Sequence, residues 1–223
     1  MKIVSLNCGL PREVRWRGQI VTTSIYKEPV HSRVVLRTLN LDGDRQSDLT
    51  VHGGKYKAVY CYPIEYYEYW QTELPGHSLT YGSFGENFSV DGLVQGGLAE
   101  DSIHVGDRFS VGSSELVVTQ PRLPCYKLGI RFGSDDMVKR FLKSRRTGFY
   151  LAVTREGDVG AGDELILLSH DPDSVSISGI TQLYLAKEYG PEDAHQVRRA
   201  IAAMALPDSW RAFSQEKLDR LNA

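Results

Sequence analysis

Gly-Asp pairs recur along this chain, at Gly43-Asp44, Gly106-Asp107, Gly157-Asp158 and Gly162-Asp163, and they limit its fold more than any other pattern. Glycine reaches backbone conformations closed to other residues, and aspartate bonds its own backbone in turns. Around these joins lie short runs rich in β-branched and aromatic residues: KIVSLNC (2–8), RVVLRT (33–38), KAVYCY (57–62), FSVDG (88–92), ELVVTQ (115–120), FYLAVT (149–154) and ELILLS (164–169). Each reads as a strand bounded by Gly, Asp or Pro. In FYLAVT, Phe149, Leu151 and Val153 share one face. Many short strands with turn signals between them indicate a barrel or sandwich rather than a parallel sheet. The stretch 147–165 reads as a β-hairpin.

Two helices are expected to interrupt the strands. One spans 63–74, with Pro63 in the first turn, and one spans 134–144, with Ser134 as N-cap ahead of Asp135 and Asp136. The character changes after about residue 172. Segments 177–190, 191–206 and 207–221 read as three short helices, with Ile180, Leu183 and Lys187, then Val197, Ile201 and Met204, at helical spacing. The expected organisation is a mainly β domain over 1–171 and a three-helix appendage over 172–223.

A length of 223 residues suits one large domain, or one domain with a small appendage. The net charge of −2, with no basic face on the three helices, argues against a nucleic-acid partner. No apolar run approaches the roughly 20 residues that span a bilayer, and no signal-peptide pattern opens the chain. The expected location is the cytoplasm, with no membrane association. Cys8, Cys61 and Cys125 form no CxxC pair, which fits a reducing compartment. Cys8 and Cys61 lie among apolar residues and read as small buried hydrophobes. The six histidines are scattered, so no zinc cluster of usual spacing is expected. Neither a GxGxxG nor a Walker A motif is present.

Cys125 reads differently, inside QPRLPCYKL (120–128). Pro121 and Pro124 fix φ and bar helical geometry in the residue before each. They predict a rigid turn at a strand end that presents one sulfur between Arg122 and Lys127. Nearby cations favour thiolate, which bonds soft metals or attacks electrophiles. His52 precedes Gly53-Gly54, with Lys55 and Lys57 close behind. Amides of a glycine turn plus lysines can hold a phosphate. Phe84-Gly85-Glu86-Asn87 places a carboxylate and an amide after a glycine, where Asn87 can bond a heterocycle edge and Glu86 a ligand amine. A metal-free nucleophile pair of Cys125 with His52 is the alternative chemistry. Chain distance does not place the two together.

Taken in order, GLPREV (9–14), KEPV (27–30), LDGDRQSD (41–48), VHGGKYKAVYCYPIEYYEYW (51–70), FGEN (84–87), VGDRF (105–109), QPRLPCYKL (120–128) and the run 148–165 resemble the MOSC family, in its YiiM-like branch. Phe88 stands where that family usually has Leu, a conservative change. The resemblance implies a mainly β, MOSC-type barrel with peripheral helices and a C-terminal three-helix appendage. It implies a molybdenum cofactor (Mo-molybdopterin) whose metal bonds Cys125. His52, Gly53, Gly54, Lys57, Arg122 and Lys127 are the implied partners of its phosphate, and Glu86 and Asn87 of its pterin. The implied activity is two-electron reductive cleavage of N–O bonds in N-hydroxylated compounds, including hydroxylamino-purines, with His52 or Glu86 as proton donor. An external flavin or iron–sulfur reductase is expected to supply electrons, because the chain carries neither signature. Sulfurases of this family need a pyridoxal-phosphate domain, for which 223 residues leave no room. The expected chemistry is therefore independent of pyridoxal phosphate. A cofactor carrier without catalysis is the alternative, and an interaction domain that docks through its three helices is another.

Overall fold

The computed structural model describes residues 1–50, 52–92 and 98–221. Val51 at the head of the HGG motif, Leu93 beyond FGEN and the last two residues of the expected appendage lie outside the described residues.

Strands β1 (Lys2–Cys8), β2 (Arg12–Trp16), β3 (Gln19–Thr23), β4 (Glu28–Val30) and β5 (Val34–Leu36) come first. A 3-10 turn (Lys55–Lys57) leads into β6 (Val59–Pro63) and helix α1 (Tyr66–Glu73). Next are β7 (Phe88–Asp91), β8 (Arg108–Val111), β9 (Ser114–Pro121), α2 (Tyr126–Phe132) and α3 (Met137–Ser144). Strands β10 (Phe149–Arg155), β11 (Gly157–Val159) and β12 (Ile166–Ser169) precede helices α4 (Ile177–Leu185), α5 (Ala194–Ala202) and α6 (Asp208–Leu221).

Eight strands form one curled sheet in the order β12-β8-β9-β10-β6-β7-β1-β4. Its pairs are antiparallel except β6 with β7. A parallel pair needs a long crossover, and residues 64–87 supply it, carrying α1 and the FGEN turn. The start of β1 also meets the lead-in to β12. Ile3 N donates to Asp163 O (2.9 Å), Leu165 N to Met1 O (2.9 Å) and Gly162 N to Ile3 O (2.8 Å). These bonds curl the sheet into a half-barrel, as the turn-punctuated strands predict. Inside it lie Ile3, Leu6, Val59, Cys61, Phe88, Val118, Phe149 and Leu151. Each such side chain contributes roughly 1.5–3 kcal/mol through burial. A second core under α1, α2 and α3 is aromatic, built on Tyr60, Tyr62, Trp70, Phe84, Phe132 and Phe141.

The stretch 147–165 is not a hairpin, contrary to the sequence reading. β10 pairs with β6 and β9, whereas β11 pairs with β5. Only Glu156 separates β10 from β11, too little for the two-residue loop of a tight hairpin. Glu156 accepts from Thr38 N (2.8 Å) and Thr38 Oγ1 (2.7 Å), which turns the chain toward β5. The hairpin β2–β3 and helix α2 were not foreseen. Arg17 and Gly18, both at positive φ, make the turn of that hairpin.

The three C-terminal helices share the core of the sheet. Ile177, Ile180, Leu183, Val197 and Leu206 bury in the same cluster as the strand residues. Trp210 Nε1 donates to Gln120 Oε1 of β9 at 2.8 Å. Ser176 caps α4, accepting from Gly179 N at 3.0 Å. Among the described residues, no helix is long and apolar enough to cross a membrane.

Candidate functional site

Strand β9 ends at Pro121, and its last neighbour on β10 sets where the next residues hang. Arg122 N donates to Gly148 O at 3.3 Å. Gly148 has φ of +62°, and a Cβ there would fall 2.4 Å from Cys61 O and 2.9–3.0 Å from the rings of Tyr62 and Tyr60. Any side chain would push this backbone off the aromatic core. After Pro124 the chain turns into α2. Leu128 N bonds Cys125 O at 2.9 Å, so Cys125 holds the N-cap position, and its side chain makes no capping bond. The sulfur is half-buried and faces a cleft.

The cleft holds about 590 Å³ of empty space, its mouth included. Five chain segments converge on it beside the cysteine loop. Thr23, Ser24, Ile25 and Lys27 come from the end of β3 and the turn after it, and Arg45, Gln46, Ser47 and His52 from the loop before the 3-10 turn. Lys57 and Tyr60 come from the 3-10 turn and β6, Gly85 and Asn87 from the end of the β6–β7 crossover, and Tyr150 from β10. Basic side chains outnumber acidic ones on this lining. Lys27 is spent on Asp44, a buried ion pair that also takes Asn87 Nδ2 (3.0 Å) and Gly9 N (2.8 Å). Lys127 Nζ donates to Ser47 Oγ at 2.8 Å, tying α2 to the loop before His52.

Arg122 is buried over two rings, with its guanidinium carbon 5.3 Å from the centre of Tyr60 and 5.2 Å from that of Phe141. The Tyr150 phenol lies within reach of its charge. Its Nη1 has no hydrogen-bond partner among the described residues. Burial raises the Tyr150 pKa against the opposing Arg122 charge, so that phenol keeps its proton. Burial, then the charges of Lys127, Lys57 and Arg122, pushes His52 below its ordinary pKa of 6.5. His52 is therefore a neutral imidazole at neutral pH. Burial also lowers Lys57, against the Cys125 sulfur, which favours its charged form.

The structure brings Cys125, His52, Lys57, Asn87, Arg122 and Lys127 to one cleft. Glu86, Gly53 and Gly54 lie off its lining. Glu86 is fully buried and accepts four hydrogen bonds: from Gly82 N (2.8 Å), Phe84 N (3.1 Å), Ser89 Oγ (2.8 Å) and the Tyr67 hydroxyl. Those four bonds, from α1, the FGEN turn and β7, hold the carboxylate off the cleft lining. Asn87 lines the cleft but spends its amide on Asn7 O (3.2 Å) and Asp44, and its carbonyl on Tyr60 N (3.1 Å). Gly53 serves packing, since a Cβ there would meet Leu49 Cδ2 at 2.8 Å. Gly54, at φ +93°, opens the 3-10 turn that aims Lys57. Lys27, Arg45, Ser47, Tyr60 and Tyr150 line the cleft without having been singled out. Their only signal in the sequence was membership in the quoted stretches.

Comparison with known proteins comes to the same region. The MOSC domain family model matches residues 48–166, which hold most of the cleft lining. Protein YflK of Bacillus subtilis (strain 168) is 36% identical over 219 residues, 98% of this chain and 95% of that protein. Protein YiiM of Escherichia coli (strain K12) is 33% identical over 197 residues, 87% of this chain and 84% of that one. The crystal structure of YiiM from Geobacillus stearothermophilus superposes with a TM-score of 0.76 at 29% identity, covering 97% of this chain and 98% of that one.

Proposed function

This chain belongs to the MOSC domain family, and from that premise we propose that it is a molybdenum cofactor-dependent reductase of N-hydroxylated compounds, hydroxylamino-purine base analogues among them. The observation that carries this reading is the Arg122 guanidinium, buried on the cleft wall with Nη1 unpaired among the described residues. An unpaired buried donor is costly, more so when charged, and an anion with acceptor oxygens relieves that cost. A pterin phosphate is such an anion.

The residues present fit the group. Cys125 offers a soft sulfur open to the cleft, the donor type that suits a sulfur-ligated metal. Arg122, Lys127 and Lys57 offer cations for the phosphate. When bound, the cofactor supplies the two-electron reduction that splits the N–O bond. His52 stands at the cleft wall to relay a proton from solvent to the departing oxygen. Tyr150 holds its proton beside the Arg122 charge. Ile25 and Tyr60 give the cleft wall apolar surface. Electrons arrive from a separate flavin or iron–sulfur reductase, and the work is done in the cytoplasm.

The test is expression in a host that makes the cofactor, followed by metal analysis and an assay. Molybdenum near one per chain, with reduction of a hydroxylamino-purine by an artificial electron donor, supports the reading. A loaded but inert protein supports a carrier instead. Protein that takes up no molybdenum overturns both.

A further inference from the structure

We propose that His104, Asp107 and His170 form a second metal site, for zinc or a similar borderline divalent ion, where the C-terminal helices leave the sheet. None of the three lines the Cys125 cleft, and the inference does not depend on the cofactor reading. The histidines look scattered in sequence, and 63 residues separate Asp107 from His170. Pairing of β12 with β8 brings them together. One donor atom from each of the three lies within 4.8 Å of the others.

The carboxylate is already held in place. Asp107 is buried, its Oδ2 accepts from His104 N (2.9 Å), and its Oδ1 from Asp171 N (3.1 Å). The same Oδ1 lies 2.9 Å from His170 Nδ1. His104 Nδ1 lies 3.3 Å from Ser102 O. As a donor there, it leaves the Nε2 lone pair free, the arrangement by which metal-bound histidines are oriented. The two imidazole rings meet edge to face with centroids 4.9 Å apart.

Two imidazoles and one carboxylate suit zinc and its neighbours better than magnesium or calcium. Tetrahedral zinc places its ligand atoms roughly 3.3 Å apart, given Zn–N bonds of about 2.0–2.1 Å. Small turns of the half-buried His104 ring and the part-exposed His170 ring close that gap, and water on the His170 side completes the set. His104 also bridges to Ser176, the cap of α4, and His170 starts the linker between β12 and α4. A bound ion therefore clamps the strand ends to the root of the helices.

The test uses the full chain stripped with a chelator, then titrated with zinc by calorimetry and with cobalt(II) by visible spectroscopy. We expect one equivalent bound, a higher melting temperature with zinc, and cobalt ligand-field bands without sulfur charge transfer. Cys125→Ser should leave all three unchanged. His170→Gln, at a surface position, and His104→Gln should each weaken zinc binding by about 100-fold or more, as loss of a direct ligand should cost at least as much as loss of its outer partner. Binding that survives both histidine variants overturns the proposal. So does binding lost in Cys125→Ser, which moves the ion to the cleft, and so does a chain that takes up no zinc at micromolar concentration.

Discussion

The guanidinium of Arg122 rests against the Tyr60 ring, 5.3 Å from its centre, rather than against a carboxylate. Among the described residues Arg122 forms no ion pair, so its charge stays available to a ligand in the cleft. Aromatic faces hold a cation with about 0.5–2 kcal/mol and leave its N–H groups free to donate.

Arg122→Ala should therefore lower retention of an anionic cofactor about 10- to 100-fold, the equivalent of one charged hydrogen bond. The melting temperature should fall only modestly, from the lost ring contacts. Molybdenum per chain and a thermal melt, run side by side, check this. Normal metal content with a large drop in melting temperature would reverse the ranking.

Cys125→Ala should remove bound molybdenum and leave the fold intact. The side chain caps nothing and is half-exposed, so the stability change should stay within about 0.5 kcal/mol. Elemental analysis beside far-UV circular dichroism checks both halves. Equal molybdenum in mutant and wild type would count against Cys125 as the metal's ligand.

His52 carries a pH prediction. Its pKa is depressed by burial and by three neighbouring cations, so imidazolium is the minor form at neutral pH. If it relays the proton, kcat should rise about tenfold per unit as pH falls from the alkaline side, then level off below the depressed pKa. His52→Gln should flatten that limb. Stability runs the other way: the unfolded histidine binds its proton more readily, so this contribution is lost as pH falls through 6.5 and below. Circular dichroism across the same range separates the two effects.

Glu86→Ala should damage the fold rather than the chemistry. Four donors around the FGEN turn, from α1 to β7, lose their acceptor, a cost of about 3 kcal/mol or more. Urea denaturation measures it. An unchanged midpoint with lost turnover would return Glu86 to the cleft.

The strands were readable because their alternation and their turn residues act locally. β1 and β10 fall within a residue of the expected bounds. The turn that brings Cys125 to the cleft was readable too, since two prolines flank it in sequence. For Glu86, a carboxylate after glycine reads the same whether it faces a ligand or its own turn. Only the crossover, which folds 82–89 over the carboxylate, distinguishes the two. Tyr150 could not be found from pattern, since it sits on a strand that reads as ordinary core. Its neighbour on the lining, Arg122, arrives from the end of β9 through the β9–β10 pairing. His104 and His170 escaped for the same reason, being neighbours only across paired strands.

Gly148 contributes no side chain to the cleft, yet the hydrogen its Cα carries in place of a methyl decides where Arg122 hangs. The protein is thus vulnerable at a spot that no map of ligand contacts would flag. A single added carbon there would disarm the cleft from behind.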